Sequence, residues 1–144
     1  MKSTMTEDNE GNKEWLNEKG LYHREDGPAF ISDERKEWYI DGRPHREDGP
    51  AIETKDPEDE NEWYINGKLH REDGPAVECI GYKSWHLNGK QHRLNGPAVE
   101  WNNEDYLQDP ECCPDDEWYI DDIKYTEKQH KARSRFYKLK NILD

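Results

Sequence analysis

Cysteine is scarce in this chain, and so are long apolar runs: three Cys, two Phe and two Met occur among 144 residues, and hydrophobic side chains make up 31%. Cys79, Cys112 and Cys113 form no even set, and two adjacent cysteines cannot readily serve one tetrahedral metal site. A disulfide framework and a structural zinc are therefore not expected, and a reduced compartment is. Residues 1–13 are polar, without the apolar centre of a signal peptide, and no apolar stretch approaches a membrane span. The expectation is a soluble, cytoplasmic protein. Cations are the minority charge, 21 Lys and Arg against 34 Asp and Glu, for a formal net charge of −13. Lys128, Lys131, Arg133, Arg135, Lys138 and Lys140 against Glu127 and Asp144 give the segment from residue 126 a net of +4, leaving −17 for the body. Such a body repels phosphate backbones and anionic lipid, so nucleic acid and membrane are not expected as direct partners. No Ser or Cys nucleophile motif, phosphate-cradling Gly loop or paired-carboxylate signature is present.

Few hydrophobic residues and 38% charged ones would by themselves suggest disorder. Six Trp and eight Tyr argue against it, because they recur at matching places and large aromatics can supply most of the apolar area of a thin sheet. The phrase His-Arg-Glu-Asp-Gly-Pro-Ala stands intact at 23–29, 45–51 and 70–76, and as His-Arg-Leu-Asn-Gly-Pro-Ala at 92–98. Seven residues before the last three of these histidines stand Trp38-Tyr39-Ile40-Asp41-Gly42, Trp63-Tyr64-Ile65-Asn66-Gly67 and Trp85-His86-Leu87-Asn88-Gly89; a further copy is Trp118-Tyr119-Ile120-Asp121-Asp122. A period of this size means small supersecondary units stacked in line.

Each unit reads as antiparallel β. Trp63-Tyr64-Ile65 has strand composition, and Asn66-Gly67 suits a type I′ hairpin turn, whose central residues both need positive φ. Lys68 to Arg71 forms the return, and Glu72-Asp73-Gly74-Pro75 a second turn in which Gly is expected to take the left-handed position. Trp15 opens a worn first unit, eight residues before its His rather than seven. The Trp intervals are 25, 22 and 33, and the excess falls each time between the Pro-Ala strand and the next Trp. Insertions at one equivalent place belong on one edge of the array; the larger, residues 101–116, mixes carboxylates with Trp101, Tyr106 and Leu107. After Tyr125 the period changes. Thr126 and Gln129 form a capping box, and Ala132, Phe136, Leu139 and Leu143 make one apolar stripe on a basic helix, expected to lie on the last hairpin. The expected organisation is a disordered tail at 1–13, β repeats at 14–125 and a capping helix at 126–144.

His, Arg and Asp together can do acid–base chemistry, but an active site is one constellation and this phrase is built four times, three with Asp and the last with Asn95 in its place. Structural roles are the better reading, and one His per unit makes a poor metal site, so no catalytic residue, metal or cofactor is expected. In a strand, Trp63 and Ile65 share a face while Tyr64 points to the other. With the Trp column packed, Tyr39, Tyr64 and Tyr119 are expected to stand partly exposed, flanked by Arg46, Arg71 and Arg93. Tyr and Arg on a rigid surface are what protein-binding hot spots use; with Trp101, Tyr106, Asp115 and Asp116 of the insertion they are the candidate partner-binding residues.

The unit Trp-Tyr-Ile-Asn-Gly-Lys-Leu-His-Arg-Glu-Asp-Gly-Pro-Ala at 63–76 resembles the MORN-like hairpin repeats, in a variant form of bacteriophage and large-DNA-virus proteins. The resemblance spans about residues 15–125. It departs from the standard unit in having Arg, not Gly, after the His and in adding Gly-Pro-Ala, so lipid binding is not carried over. What it implies is an all-β repeat array, an elongated twisted antiparallel sheet of about five hairpin units closed by a C-terminal helix. As function it implies a non-enzymatic protein-binding scaffold, and, for a viral source, one that binds and inhibits a host defence protein. Two other classes stay open: an acidic nucleic-acid mimic occupying a DNA- or RNA-binding protein, and a small hydrolase or nuclease using one His-Arg-Asp set. Sheet edges at the ends of the array could also pair between chains as a homodimer.

Overall fold

The computed structural model describes residues 2–101 and 115–143. In chain order, β1 (Thr4–Glu7), β2 (Lys13–Leu16), β3 (Phe30–Ile31) and β4 (Arg35–Glu37) lead to a first small hairpin, β5 (Tyr39–Ile40) and β6 (Arg43–Pro44). Strands β7 (Ile52–Thr54) and β8 (Asn61–Glu62) precede a second hairpin, β9 (Tyr64–Ile65) and β10 (Lys68–Leu69). Next, β11 (Val77–Cys79) and β12 (Tyr82–Ser84) precede a third, β13 (His86–Leu87) and β14 (Lys90–Gln91). Then come β15 (Val99–Trp101), a last hairpin β16 (Trp118–Ile120) and β17 (Ile123–Tyr125), and helix α1 (Glu127–Leu143).

The unit is therefore a two-tier loop. One strand leaves a nine-stranded antiparallel sheet, the chain makes a small hairpin and a turn, and the next strand re-enters the sheet, which runs β1-β2-β3-β4-β7-β8-β11-β12-β15. The crossing points are the Trp and the Ala of each repeat. Trp38 N–H donates to Ala51 O at 2.7 Å and Trp63 N–H to Ala76 O at 2.8 Å, while Ala51 and Ala76 donate to Glu62 and Ser84 of the following unit. Ala29, Ala51, Ala76 and Ala98 are fully buried, so only a methyl group fits between the tiers. The hairpins form a second row: Gly42, Gly67 and Gly89 donate to Tyr22, Pro44 and Leu69 of the unit before, each at 2.8 Å. Both central residues of these turns have positive φ (Asp41 48°, Gly42 75°; Asn66 51°, Gly67 78°), as a type I′ hairpin requires.

The chain before residue 14, expected as a disordered tail, is instead the edge of the sheet. Strand β1 pairs with β2 over four residues, Thr4 opposite Leu16 through Glu7 opposite Lys13. Asp8 closes the connection by accepting from the side chain of Asn12 and the amides of Glu10 and Asn12, which hold its carboxyl below its ordinary range. Backbone pairing sustains this strand, not burial, for all four of its residues are exposed. At the other end, α1 begins with the expected box: Gln129 N–H donates to Thr126 Oγ1, and Thr126 N–H to Gln129 Oε1 at 3.0 Å. Its orientation is the reverse of the expected one. Phe136 and Leu139 are 59% and 60% exposed, Ala132 is exposed too, and His130 and Ser134 are buried. No helix among the described residues is long and apolar enough to cross a membrane.

Candidate binding surface

The His-Arg-x-Asp-Gly-Pro phrase folds into a clasp around its own arginine. In each copy the guanidinium lies on the indole of the same unit: Arg24 on Trp15 at 4.1 Å, Arg46 on Trp38 at 3.8 Å, Arg71 on Trp63 at 4.1 Å and Arg93 on Trp85 at 3.6 Å. Its Nε donates to the Asp two residues on, at 2.7 Å to Asp26, 2.8 Å to Asp48 and 2.9 Å to Asp73. Its Nη1 donates to the Pro carbonyl four residues on, at 3.3, 3.1, 3.2 and 2.9 Å along the row. The Arg hydrogen bond and positive charge hold the carboxyls of Asp26, Asp48 and Asp73 below their ordinary range.

This geometry corrects two expectations. The arginines do not flank the Tyr column; they are stacked on the Trp column, where planar guanidinium and indole match face to face. Nor is the glycine of the phrase left-handed, since Gly27, Gly49, Gly74 and Gly96 are absent from the residues with positive φ. It is there for room: a Cβ on Gly49 would sit 2.8 Å from Arg46 Cζ, and one on Gly74 2.7 Å from Arg71 Cζ.

The histidines bind one unit to the next. Asn66 N–H donates to His45 Nδ1 and Asn88 N–H to His70 Nδ1, both at 3.1 Å, which places the proton of each neutral imidazole on Nε2. At the end of the row His92 Nδ1 meets the carboxylate of Asp121 at 2.8 Å. Each repeated His thus has its Nδ1 engaged by the unit that follows, and Arg24, Arg46 and Arg71 are each held by their Asp; among the described residues no group of three His, Cys, Asp or Glu could hold a metal ion.

The Tyr column is half-buried, its hydroxyls tied to the carboxylate two residues back: Tyr39 to Glu37 at 2.8 Å, Tyr64 to Glu62 at 2.7 Å and Tyr119 to Glu117 at 3.1 Å. In the third hairpin both partners change together, to Ser84 and His86, whose Oγ and Nε2 lie 3.0 Å apart. Burial, and then the adjacent carboxylate, push the Tyr22 phenol up to about 12 and raise those of Tyr39 and Tyr64 as well. Burial also lowers the His86 imidazole. In the insertion, Trp101 stacks on Tyr82 with ring centroids 4.7 Å apart and donates its amide to Asp116. Asp115 is exposed, and Tyr106 lies outside the described residues. Arg71 and Arg93 pair also with Glu78 and Glu100, which line one hollow with Trp101 and Asp116.

Between successive clasps the Trp face is hollowed. One cleft, of about 390 Å3, has the Arg24 clasp on one side and Trp38, Ile40 and Arg46 on the other. The next, of about 750 Å3, has the Arg46 clasp against Trp63, Ile65 and Arg71. Their rims carry carboxylates: the side chains of Glu47, Asp48, Glu72 and Asp73 are 84% to 85% exposed. The equivalent step at the end of the row is occupied by α1. Trp118 has no arginine of its own, and His130 takes that place with its ring 5.0 Å from the indole and its Nε2 2.6 Å from Arg93 O. Tyr137 donates to Asp121 at 3.0 Å, and Lys138 to Asn95. Here the fourth phrase departs from the others, with Leu94 half-buried and Asn95 accepting from the helix where the open clefts have exposed Glu and Asp. The altered phrase, legible in the sequence, is the one that the helix contacts. Compared with models of known protein families, with curated proteins and with solved structures, the chain matches none.

Proposed function

We propose that the protein is a non-enzymatic scaffold that binds another protein. The observation that carries this reading is the engagement of the three His-Arg-Asp sets within the fold: the Arg is stacked on Trp, the Asp holds the Arg, and Nδ1 of the His is bonded to the next unit. General acid–base catalysis needs such groups within reach of a substrate, and these are within reach of one another. What the array turns outward is a rigid, acidic, aromatic-floored surface, suited to a macromolecular partner that is itself basic. Nucleic-acid mimicry is the second reading, favoured by the exposed carboxylate pairs at 47–48 and 72–73. Inhibition of a host defence protein rests on the resemblance of the repeat alone.

The test is affinity capture with the intact tagged chain, after nuclease treatment, washed at low and at high salt, with bound proteins identified and their complexes reconstituted from purified components. One stoichiometric protein that added DNA or RNA does not displace supports the scaffold. Only nucleic-acid-binding proteins, each displaced by added DNA or RNA, support mimicry. A hydrolytic activity abolished by replacing one of His23, His45, His70 or His92 and untouched by replacing the others would overturn both.

A further inference from the structure

The chain itself shows what fills a cleft of this row. At the last step a helix lies against the clasp and the indole, presenting His130, Ser134 and Tyr137 at the i, i+4 and i+7 positions of one face, with Lys138 beside them. We infer that the open cleft beside the Arg46 clasp is a docking groove for a basic helix of a partner protein, held as α1 is held but with Lys or Arg facing the rim carboxylates Glu47 and Glu72. This inference rests on the scaffold reading and names the partner's chemistry.

Two independent features support it. The first is the correlation between occupancy and sequence: the filled step has Leu94 where the step beside the Arg46 clasp keeps Glu47 outward, its side chain 84% exposed. A carboxylate facing a helix that already belongs to the chain would have to be desolvated, whereas one facing solvent is free to meet a cation that arrives later. The second is charge. In the larger cleft the two arginines are turned onto Trp38 and Trp63 and neutralised by Asp48 and Asp73. Glu47 and Glu72 have only a distant imidazole, 4.0 and 3.8 Å away, and Glu47 lines both clefts. The floor supplies apolar contact through Trp63 and Ile65, and the rim supplies negative charge, so the complementary ligand is an amphipathic cation.

The probe is a labelled synthetic peptide with the sequence of residues 127–143, titrated into the intact chain and followed by fluorescence anisotropy. The peptide should bind, its affinity falling as salt rises, and a version with every Lys and Arg replaced by Gln should not. The variant Glu47→Lys/Glu72→Lys should bind it about tenfold more weakly, while Glu18→Lys/Glu58→Lys, with the same net charge and exposed positions elsewhere, should leave affinity unchanged. Equal weakening by the two double variants, or no binding at low salt, overturns the groove assignment. A protein partner captured as above that binds Glu47→Lys/Glu72→Lys as tightly as the parent also overturns the groove and leaves the scaffold standing. Loss of every partner from the parent chain overturns the scaffold.

Discussion

Replacing Gly74 by alanine isolates the reason for glycine in the clasp. The new Cβ would lie 2.7 Å from Arg71 Cζ and 2.9 Å from its Nε, so the guanidinium must leave. A flexible side chain can move, and the cost is what it held. The stacking on Trp63 at 4.1 Å is worth about 1–2 kcal/mol in a half-buried setting. The hydrogen bond to Pro75 O adds about 1 kcal/mol. The ion pair with Asp73 adds little, because that carboxylate is exposed to solvent. Gly74→Ala should therefore destabilise by about 2–3 kcal/mol, read as a fall in the midpoint of urea unfolding at unchanged slope. The decisive variant is Gly74→Ala on an Arg71→Ala background. Since Gly74 lies outside the left-handed region, alanine there loses nothing in the folded state and restricts the unfolded chain, a gain of about 0.5 kcal/mol. The sign should reverse. If Gly74→Ala costs the same with and without Arg71, the glycine serves the backbone and the clasp account is wrong.

Replacing His70 by leucine leaves the amide of Asn88 without its acceptor, at a cost of about 1–2 kcal/mol, and hydrogen exchange at Asn88 should quicken more than at amides within the main sheet. Alkali should destabilise the fold: the Tyr22 phenol is raised to about 12, and those of Tyr39 and Tyr64 are raised too, above the unfolded value of about 10. Their contribution is full below pH ~10 and is lost as pH rises through that window; tyrosinate absorbance and unfolding should track together, and Tyr39→Phe with Tyr64→Phe should flatten the slope. On α1, Phe136→Asp and Leu139→Asp should change stability by less than about 0.5 kcal/mol, whereas His130→Ala should cost about 1–3 kcal/mol by uncovering Trp118 and unpairing Arg93 O. The opposite ranking in thermal unfolding would restore the apolar stripe as the docking face.

The repeats, the antiparallel hairpins, their type I′ turns and the capping box were all legible in the sequence. These are local features, fixed by φ preferences at Asn66-Gly67 and by the Thr126 and Gln129 pairing, and they need no knowledge of what lies across the fold. Periodicity misled where burial had to be inferred from hydrophobicity. Ala132, Phe136 and Leu139 make the more apolar side of α1, yet the surface awaiting the helix offers a carbonyl, a carboxylate, an amide oxygen and an indole, and a face of His, Ser, Tyr and Lys answers those better. The candidate arginines were found by their recurrence, and their faces were misassigned because strand alternation does not say where a side chain in a turn will reach. The spacing of Arg and Gly, three apart in all four copies, was the signal that could have placed them. What only the tertiary structure decided is which indole each arginine covers, that His45 and His70 bond the unit that follows, and that the chain's own helix fills the last cleft while others stay open. Each is a contact between segments distant along the chain, and such contacts are chosen by the shape and polarity of the surface opposite, which no local pattern carries.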